Sequence, residues 1–471
     1  MKKITSKQIA NMVGGEIVSG KGNRVPTNVV IDSREVTEGS MFVALRGEST
    51  DGHRFLPNAY QAGAKIFLVS DLELCKEYGH DVMQSKDVDM ILVSDALKGL
   101  QDLASRYLDS LEMDCVAVTG SVGKTTTRDM LSAALSSKYN VGSSKKNYNS
   151  ETGLPLTLLS FDEDMDVGVL EMGMDGPGQI ERLAEIARPT CAIITNIGIS
   201  HIERLGSREN IMKAKMEIAE NFDVENTLVL NIDDDMLALV AEEEHPYKVV
   251  TVGTSEKAEY QVLDIEDRGY EGISFTLKCP GYDGRVDLNV PGCHNALNCG
   301  LAIAGAVAMG AKAGEAVDAL ANMETTGSRM RLHDEGDIKI IDDAYNAAPV
   351  SMRSAVEMLC HSTGDRRVAI LGGMNELGKL SDKEHFALGE FIAESGPEVL
   401  VTIGDMAKEI QKGYLSRGGK GKHFHFDVKE ELADSANKIF KSGDVVLLKA
   451  SRSFELEELV PVIEAYMAGE K

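Results

Sequence analysis

Val116–Thr127 reads VAVTGSVGKTTT, and its layout decides how the rest of the chain is to be taken. An apolar run, VAVT, passes into a Gly-Ser-Val-Gly-Lys-Thr turn and then into RDMLSAALSSKY, whose apolar residues recur at helical spacing. Strand, glycine turn and helix in that order make a phosphate-binding loop. The turn amides and the helix start hold an anion, Lys124 reaches the outer phosphates, and the Thr125 hydroxyl is a ligand for magnesium. The general pattern places a glycine at 118, where this chain has Val118, so the loop is a shortened GxxGKT form.

The 471 residues, of which 43% are hydrophobic, suffice for two to four domains with cores of their own. A formal charge of -26 argues against nucleic acid or an anionic membrane as a main partner, since both select basic surfaces. No leader is expected in MKKITSKQIANMVGG and no membrane-spanning run elsewhere. The seven cysteines are odd in number and form no CxxC pair, as in a chain kept reduced in a cytoplasm. Cys293 and Cys299 flank a helix start and read as small core residues.

Working outward from the loop, the expected fold is α/β with three domains. A small N-terminal module covers residues 1–110. Its strands lie in NVVIDSRE, SMFVALRG and AKIFLVSD, LPNAYQAG is a helix ending in glycine, and DALKGLQDLASRYLDS is an amphipathic helix leading into the next module. Residues 111–325 form the central module. There VAVT, VGVLE, AIITN and TLVLN are continuous apolar strands separated by helices, the pattern of a parallel sheet covered on both faces. Ligands gather beyond the carboxyl ends of such strands, so Gly120 to Thr125, Glu171 and Asn196 to His201 are expected at one crevice. Glu171 is placed to share a cation with Thr125. Lys213 and Lys215, in the helical ENIMKAKMEIAENF, read as a solvated face.

After TLVLN come the alternating strands YQVLDIE, ISFTLKC and RVDLNVPG, an antiparallel annex. A small-residue helix follows, with Asn295 and Asn298 on one face of its first turn, where they cap the helix or grip a base edge. Residues 326–471 repeat the strand–helix alternation with IKIIDD, VAILGG, VLVTIG and DVVLLK as a second, Rossmann-like parallel sheet. Its turns carry Asp343, Tyr345, Asn346, Asn375, Glu376, Lys449, Ser451 and Arg452. Ser381 and Glu384 have capping-box spacing.

Taken together, TGSVGKTTT, NYNSETGLPLTLL, EMGM, TNIGISHIE, KAKMEI, PGCHNALN, SRMRLH and DDAYNAAP resemble the Mur ligases, ATP-dependent enzymes that build the peptide of peptidoglycan. Within that family, IDSREVTEGSMFVALRGESTDGH, GSVGKTT, NYNSETGLP and KASRS are most similar to the branch that adds D-alanyl-D-alanine to UDP-N-acetylmuramoyl-tripeptide. The resemblance implies ATP held by Gly120, Ser121, Val122, Gly123, Lys124, Thr125 and Thr126, with Thr125 and Glu171 on one Mg2+ ion and His201 on a second. It implies a carbamylated Lys215, which reverses the solvated-face reading. Asn295 and Asn298 are implied at the adenine, Asp343 at the ribose, Arg331 at the phosphates, Ser33 and Arg34 at the uridine nucleotide, and Asn346 at substrate. A cytoplasmic monomer is expected.

Three departures fall in the C-terminal module, which in this family receives the dipeptide: KASR for KGSR, LGGMNELG for LGDMLELG, and NAAP for NANP. The alternatives are another amino-acid-adding ligase of the superfamily and a P-loop ATPase without ligation chemistry.

Overall fold

A computed structural model describes residues 1–47, 49–144, 147–321, 323, 330–335 and 337–469. The expected boundary at 325, Glu48 of GESTDGH, and Ser328 and Arg329 of SRMRLH lie outside them. The strands fall into three sheets, one for each expected module.

The first sheet contains β1 (Glu16–Ser19), β2 (Val29–Val30), β3 (Met41–Val43), β4 (Ile66–Val69) and β5 (Asp89–Leu92) in the order β1-β5-β4-β3-β2. Only β1 runs antiparallel, against β5. Helix Ala96–Asp109 is amphipathic as expected, and its Leu100, Leu103, Ala104 and Tyr107 are fully buried. They join a core that runs without a break from Met41 and Ile66 of the first sheet to Ala117 and Leu170 of the second. The helix is therefore a shared wall between two modules.

The second sheet has nine strands: β6 (Asp114–Thr119), β7 (Val141–Ser143), β8 (Val167–Glu171), β9 (Cys191–Ile194), β10 (Thr227–Asn231), β11 (Lys248–Gly253), β12 (Tyr260–Asp267), β13 (Ile273–Cys279) and β14 (Tyr282–Leu288). Their order is β14-β13-β12-β11-β10-β9-β6-β8-β7. β6 lies between β9 and β8, so the chain crosses to one side of β6 for β7 and β8 and to the other for β9 onward. The carboxyl end of β6 is a topological switch point, the place where ligands bind in open α/β sheets. The alternating strands are not a separate annex, because β12 pairs parallel with β11 and extends the same sheet before β13 and β14 reverse.

In the third sheet, β15 (Arg331–Glu335), β16 (Ile338–Asp342), β17 (Arg366–Leu371), β18 (Val399–Ile403), β19 (Lys422–Phe426) and β20 (Asp444–Lys449) are ordered β15-β16-β20-β17-β18-β19, all parallel except β15. Inserting β20 between β16 and β17 makes a second switch point, and the turns after those three strands face the central module.

Two local expectations are corrected. Ser381 is not an N-cap: a 3-10 turn over Gly378–Leu380 precedes it, Leu380 takes the cap position, and the Ser381 hydroxyl meets His385 Nδ1 at 3.3 Å, so no capping box forms with Glu384. Asn295 and Asn298 do not cap their helix, His294–Ala308, which starts after Cys293 with no side-chain cap. Cys299 is buried as expected, whereas Cys293 is half-buried with its thiol 3.4 Å from Asp267 Oδ2. All seven cysteines are free, and no helix among the described residues is long and apolar enough to cross a membrane.

Candidate active site

The glycine loop begins where β6 ends. Val118 belongs to the strand, fully buried between β8 and β9, which is why no loop glycine stands there. Gly120 has φ +148°, and a Cβ on it would lie 1.9 Å from Thr195 Oγ1. Gly123, with φ +85°, occupies the cap position of helix Lys124–Leu135 and leaves that start without a side-chain cap. Orphan amides at such a start are an anion site.

The chain after β9 fixes the loop's shape. Ser121 N donates to Asn196 O (3.0 Å), Val122 N to Asn196 Oδ1 (3.0 Å), and Gly198 N to Ser121 Oγ (2.9 Å). Thr195 Oγ1 and Asn196 Nδ2 both donate to Val122 O. The crevice expected between the ends of β6 and β9 is thus built, and Lys124 Nζ rests on Gly120 O at 2.9 Å.

Glu171, the last residue of β8, is 1% exposed. Its Oε2 accepts from Thr125 Oγ1 (2.8 Å) and lies 3.5 Å from Arg128 Nη1, while its Oε1 accepts from Asn149 Nδ2 (2.8 Å). Lys215 is 2% exposed, against the reading of a solvated face. Helix Arg208–Met216 turns Ile211, Ala214 and Lys215 inward and leaves Lys213 exposed. Burial, with the charge of Lys124 adding to it, pushes the Lys215 amine well below the usual lysine range. Among the described residues no carboxylate pairs with it.

His201 sits in the left-handed region at φ +62°, its Nδ1 2.7 Å from Glu376 Oε2 of the C-terminal domain and 3.7 Å from Asp175 Oδ1. That hydrogen bond holds the Glu376 carboxyl below its ordinary range. Lys124, Asn149, Glu171, Asp175, His201 and Lys215 line one cavity.

A second cavity lies across the loop. Ser121–Thr126 form one wall; His294, Asn295, Asp343, Tyr345, Asn346 and Lys449 belong to the other. Asn298 Nδ2 donates to Asn295 Oδ1 (2.8 Å) and Asn295 Nδ2 to Pro291 O (2.6 Å), so the two amides form one oriented pair. Asp343 follows β16 and Lys449 ends β20, adjacent strands whose carboxyl ends bring Lys449 Nζ to 2.5 Å from Asp343 Oδ2 and 3.1 Å from Asn346 O. Burial lowers the His294 imidazole to about 4, so it is neutral, and its Nδ1 has no partner. Lys124, Tyr345 and Asn346 line both cavities.

Three implied residues stand apart. Ser33 and Arg34 form a short 3-10 turn where Arg34 is exposed and paired with Asp32, and neither residue lines the two cavities. Arg331 is exposed at the start of β15, one residue beyond Met330, which lines the second cavity. The sequence by itself marks out neither His294, Arg128 nor Asn149, although Asn149 lies inside NYNSETGLP.

Family comparisons follow the same three-part division. The Mur ligase family catalytic domain matches residues 26–108, the Mur ligase middle domain 118–306, and the Mur ligase glutamate ligase domain 328–452. The UDP-N-acetylmuramoyl-tripeptide--D-alanyl-D-alanine ligase of Bacillus subtilis is 35% identical over 463 residues, covering 98% of each chain. The chain is a Mur ligase. Another relative, the Synechocystis ligase of the same name, is 34% identical, covering 92% of this chain and 91% of its own. Among solved structures, MurF from Acinetobacter baumannii superposes with TM-score 0.86 at 26% identity, covering 98% of this chain and 99% of that one. A MurF ligase from Thermotoga maritima in complex with ADP gives TM-score 0.79 at 28% identity, covering 94% and 98%.

In this Mur ligase three of the departing positions, Gly373, Ala450 and Ala348, have the following surroundings. At Gly373, where aspartate is usual, a Cβ would stand 2.7 Å from Met406 Cε and 3.0 Å from Phe454 Cζ. The methyl of Ala450 lies 2.6 Å from where a Cβ on Gly372 would be, so the alanine depends on that glycine. Ala348 caps helix Pro349–His361 without a side-chain acceptor, and Ser351 Oγ accepts from its N–H (3.0 Å) instead.

Proposed function

We propose that this chain joins D-alanyl-D-alanine to UDP-N-acetylmuramoyl-tripeptide, converting ATP to ADP and phosphate, through an acyl phosphate. The observation that carries the reading is the position of Lys124 between the two cavities. ATP in the cavity of Ser121–Thr126, Asn295 and Asp343 directs its terminal phosphate past Lys124 into the cavity of Asn149, Glu171 and Lys215, where the tripeptide carboxylate waits.

The carboxylate oxygen attacks the γ-phosphorus and the bond to the bridging oxygen breaks, releasing ADP. The amine of the dipeptide then attacks the acyl carbon, phosphate leaves, and the nitrogen loses a proton. Bringing a carboxylate to a polyphosphate is electrostatically uphill, and Lys124 with the loop amides offsets the repulsion while stabilising charge on the transferring group. The resemblance alone assigns Arg331 to the phosphates, Ser33 and Arg34 to the uridine nucleotide, and Asn346 to substrate. In this reading the units 1–110, 111–325 and 326–471 act as the uridine-nucleotide domain, the ATP domain and the domain of the ATP ribose and dipeptide acceptor, in a cytoplasmic monomer.

Among the described residues no three His, Cys, Asp or Glu side chains form a metal cage. The oxygens of Thr125 and Glu171, 2.8 Å apart, fit magnesium shared with phosphate better than a dedicated protein site. His201 would serve a second ion. Magnesium supplies charge neutralisation at the phosphates. Burial and the charge of Lys124 disfavour the charged form of the Lys215 amine; the uncharged amine is the form that takes up carbon dioxide, and its carbamate would place a negative charge beside Lys124. ADP formation measured with each substrate omitted tests the reading: it should need both the UDP-tripeptide and D-alanyl-D-alanine, and equal ADP formation without either would overturn it.

A further inference from the structure

Glu376 and His201 meet across the interface between the central and C-terminal domains, and both are non-glycine residues in the left-handed region, at φ +65° and +62°. Each such residue costs on the order of 1 kcal/mol or more of backbone energy, which persists only where the surroundings over-determine it. The Glu376 side chain is 56% exposed, and an ion pair or hydrogen bond that open to water contributes well under ~1 kcal/mol. Stability therefore does not account for the contact.

The turn that presents Glu376 is anchored on its own domain at both sides. Met374 N donates to the buried His385 Nε2 (2.8 Å), Asn375 N to Ser451 Oγ (2.8 Å), and Asn375 Nδ2 to Ser453 Oγ (3.0 Å). Gly378, just beyond, lies against Glu203 of the central domain, where a Cβ would be 3.2 Å from the Glu203 side chain. Ile199, two residues before His201, packs on the C-terminal core. The interface thus sets the position of both partners.

We propose that Glu376 is a positioning residue for the ligation reaction, which fixes the tautomer and orientation of His201 from the C-terminal domain. With Nδ1–H donating to the carboxylate, the imidazole keeps its lone pair on Nε2, the nitrogen left to face the cavity of Glu171 and Lys215. A carboxylate behind a histidine is the usual way such a nitrogen is aimed and made more basic. Here that carboxylate is carried by the other domain, so His201 is prepared only when the two domains are together. The inference rests on the proposed reading of the cavity as the phosphoryl-transfer site.

The test is the full-length chain carrying Glu376→Ala, Glu376→Gln or Glu376→Asp. Glu376→Ala should lower kcat about 10- to 100-fold, the range seen when such outer partners are removed. KM for ATP should hold within about twofold, the melting temperature should stay within a degree or two, and Glu376→Asp should restore part of kcat. In the metal-free protein, long-range proton–nitrogen spectra of the histidine rings, with His201 assigned by its loss in His201→Asn, should show the Nδ1-protonated tautomer in the parent and a tautomer mixture in Glu376→Ala. Unchanged kcat and an unchanged His201 signature in Glu376→Ala, with the parent active as a ligase, would overturn this inference alone. A parent with no ligase activity would overturn the functional reading instead, while the tautomer measurement would still decide whether Glu376 orients His201.

Discussion

The Asp343–Lys449 pair offers the sharpest perturbation. Both side chains are nearly out of water, 10% and 3% exposed, and Lys449 Nζ has the Asp343 carboxylate and the Asn346 carbonyl as its partners. Asp343→Asn keeps the shape and removes the charge, leaving a buried ammonium facing an amide and a carbonyl. Removing one partner of a buried pair costs about 3–5 kcal/mol, because the remaining charge is uncompensated. At ~3 °C per kcal/mol for a unit of this size, the C-terminal domain should melt about 10–15 °C lower. Asp343→Asn combined with Lys449→Met removes both charges and should recover most of that loss. The chain has no tryptophan, so urea and thermal unfolding without nucleotide are best followed by far-ultraviolet circular dichroism. The reasoning is refuted if Asp343→Asn unfolds within 1 kcal/mol of the parent, or if the double variant is as unstable as the sum of the singles.

Gly120→Ala places a methyl 1.9 Å from Thr195 Oγ1 at φ +148°, so nucleotide affinity should fall at least tenfold in equilibrium binding while the C-terminal melting transition stays in place. Ala348→Asn supplies the missing N-cap acceptor of helix Pro349–His361 and should stabilise the C-terminal domain by ~1 kcal/mol in urea unfolding; a variant no more stable than the parent would contradict this. Burial lowers both His294, to about 4, and His385. Their folded values lie below the unfolded value of about 6.5, so their contribution is complete above that pH and is lost as the pH falls toward the folded values. The urea midpoint should drop between pH 7.5 and 5.0, and drop less in His385→Asn. Stripping bicarbonate and carbon dioxide should slow the parent enzyme reversibly, and a Lys215→Met variant, slow in both conditions, should show no response to their return.

Much of this architecture could be read from the chain because it rests on local patterns. VAVT, VGVLE, AIITN and TLVLN are almost wholly apolar runs separated by helical patterns, and the glycine loop between a strand and a helix places itself. The strands at Glu16–Ser19 and Val141–Ser143 were not legible, being short, and half-exposed over most of their length, so that neither periodicity nor hydrophobicity marks them. Lys215 could have been found without the family resemblance: Ile211, Lys215 and Ile218 recur at i, i+4 and i+7, which puts a lysine on a buried stripe. His385 carries the same signal, with Leu388 and Ile392 beside it on the inward face. The pairing of His201 with Glu376 has no such signal, because it joins turns from two domains and depends on how those domains pack.

The central claim is that the tripeptide carboxylate attacks ATP directly, and oxygen transfer tests it most directly. UDP-N-acetylmuramoyl-tripeptide labelled with oxygen-18 in its terminal carboxylate is converted with ATP and D-alanyl-D-alanine, and the phosphate released is analysed by mass. Lys124 lines both cavities, and the proposed placing of ATP in one and the tripeptide carboxylate in the other predicts one labelled oxygen per phosphate formed. Phosphate free of label, with ligated product accumulating, would contradict the acyl-phosphate route and the account built on it.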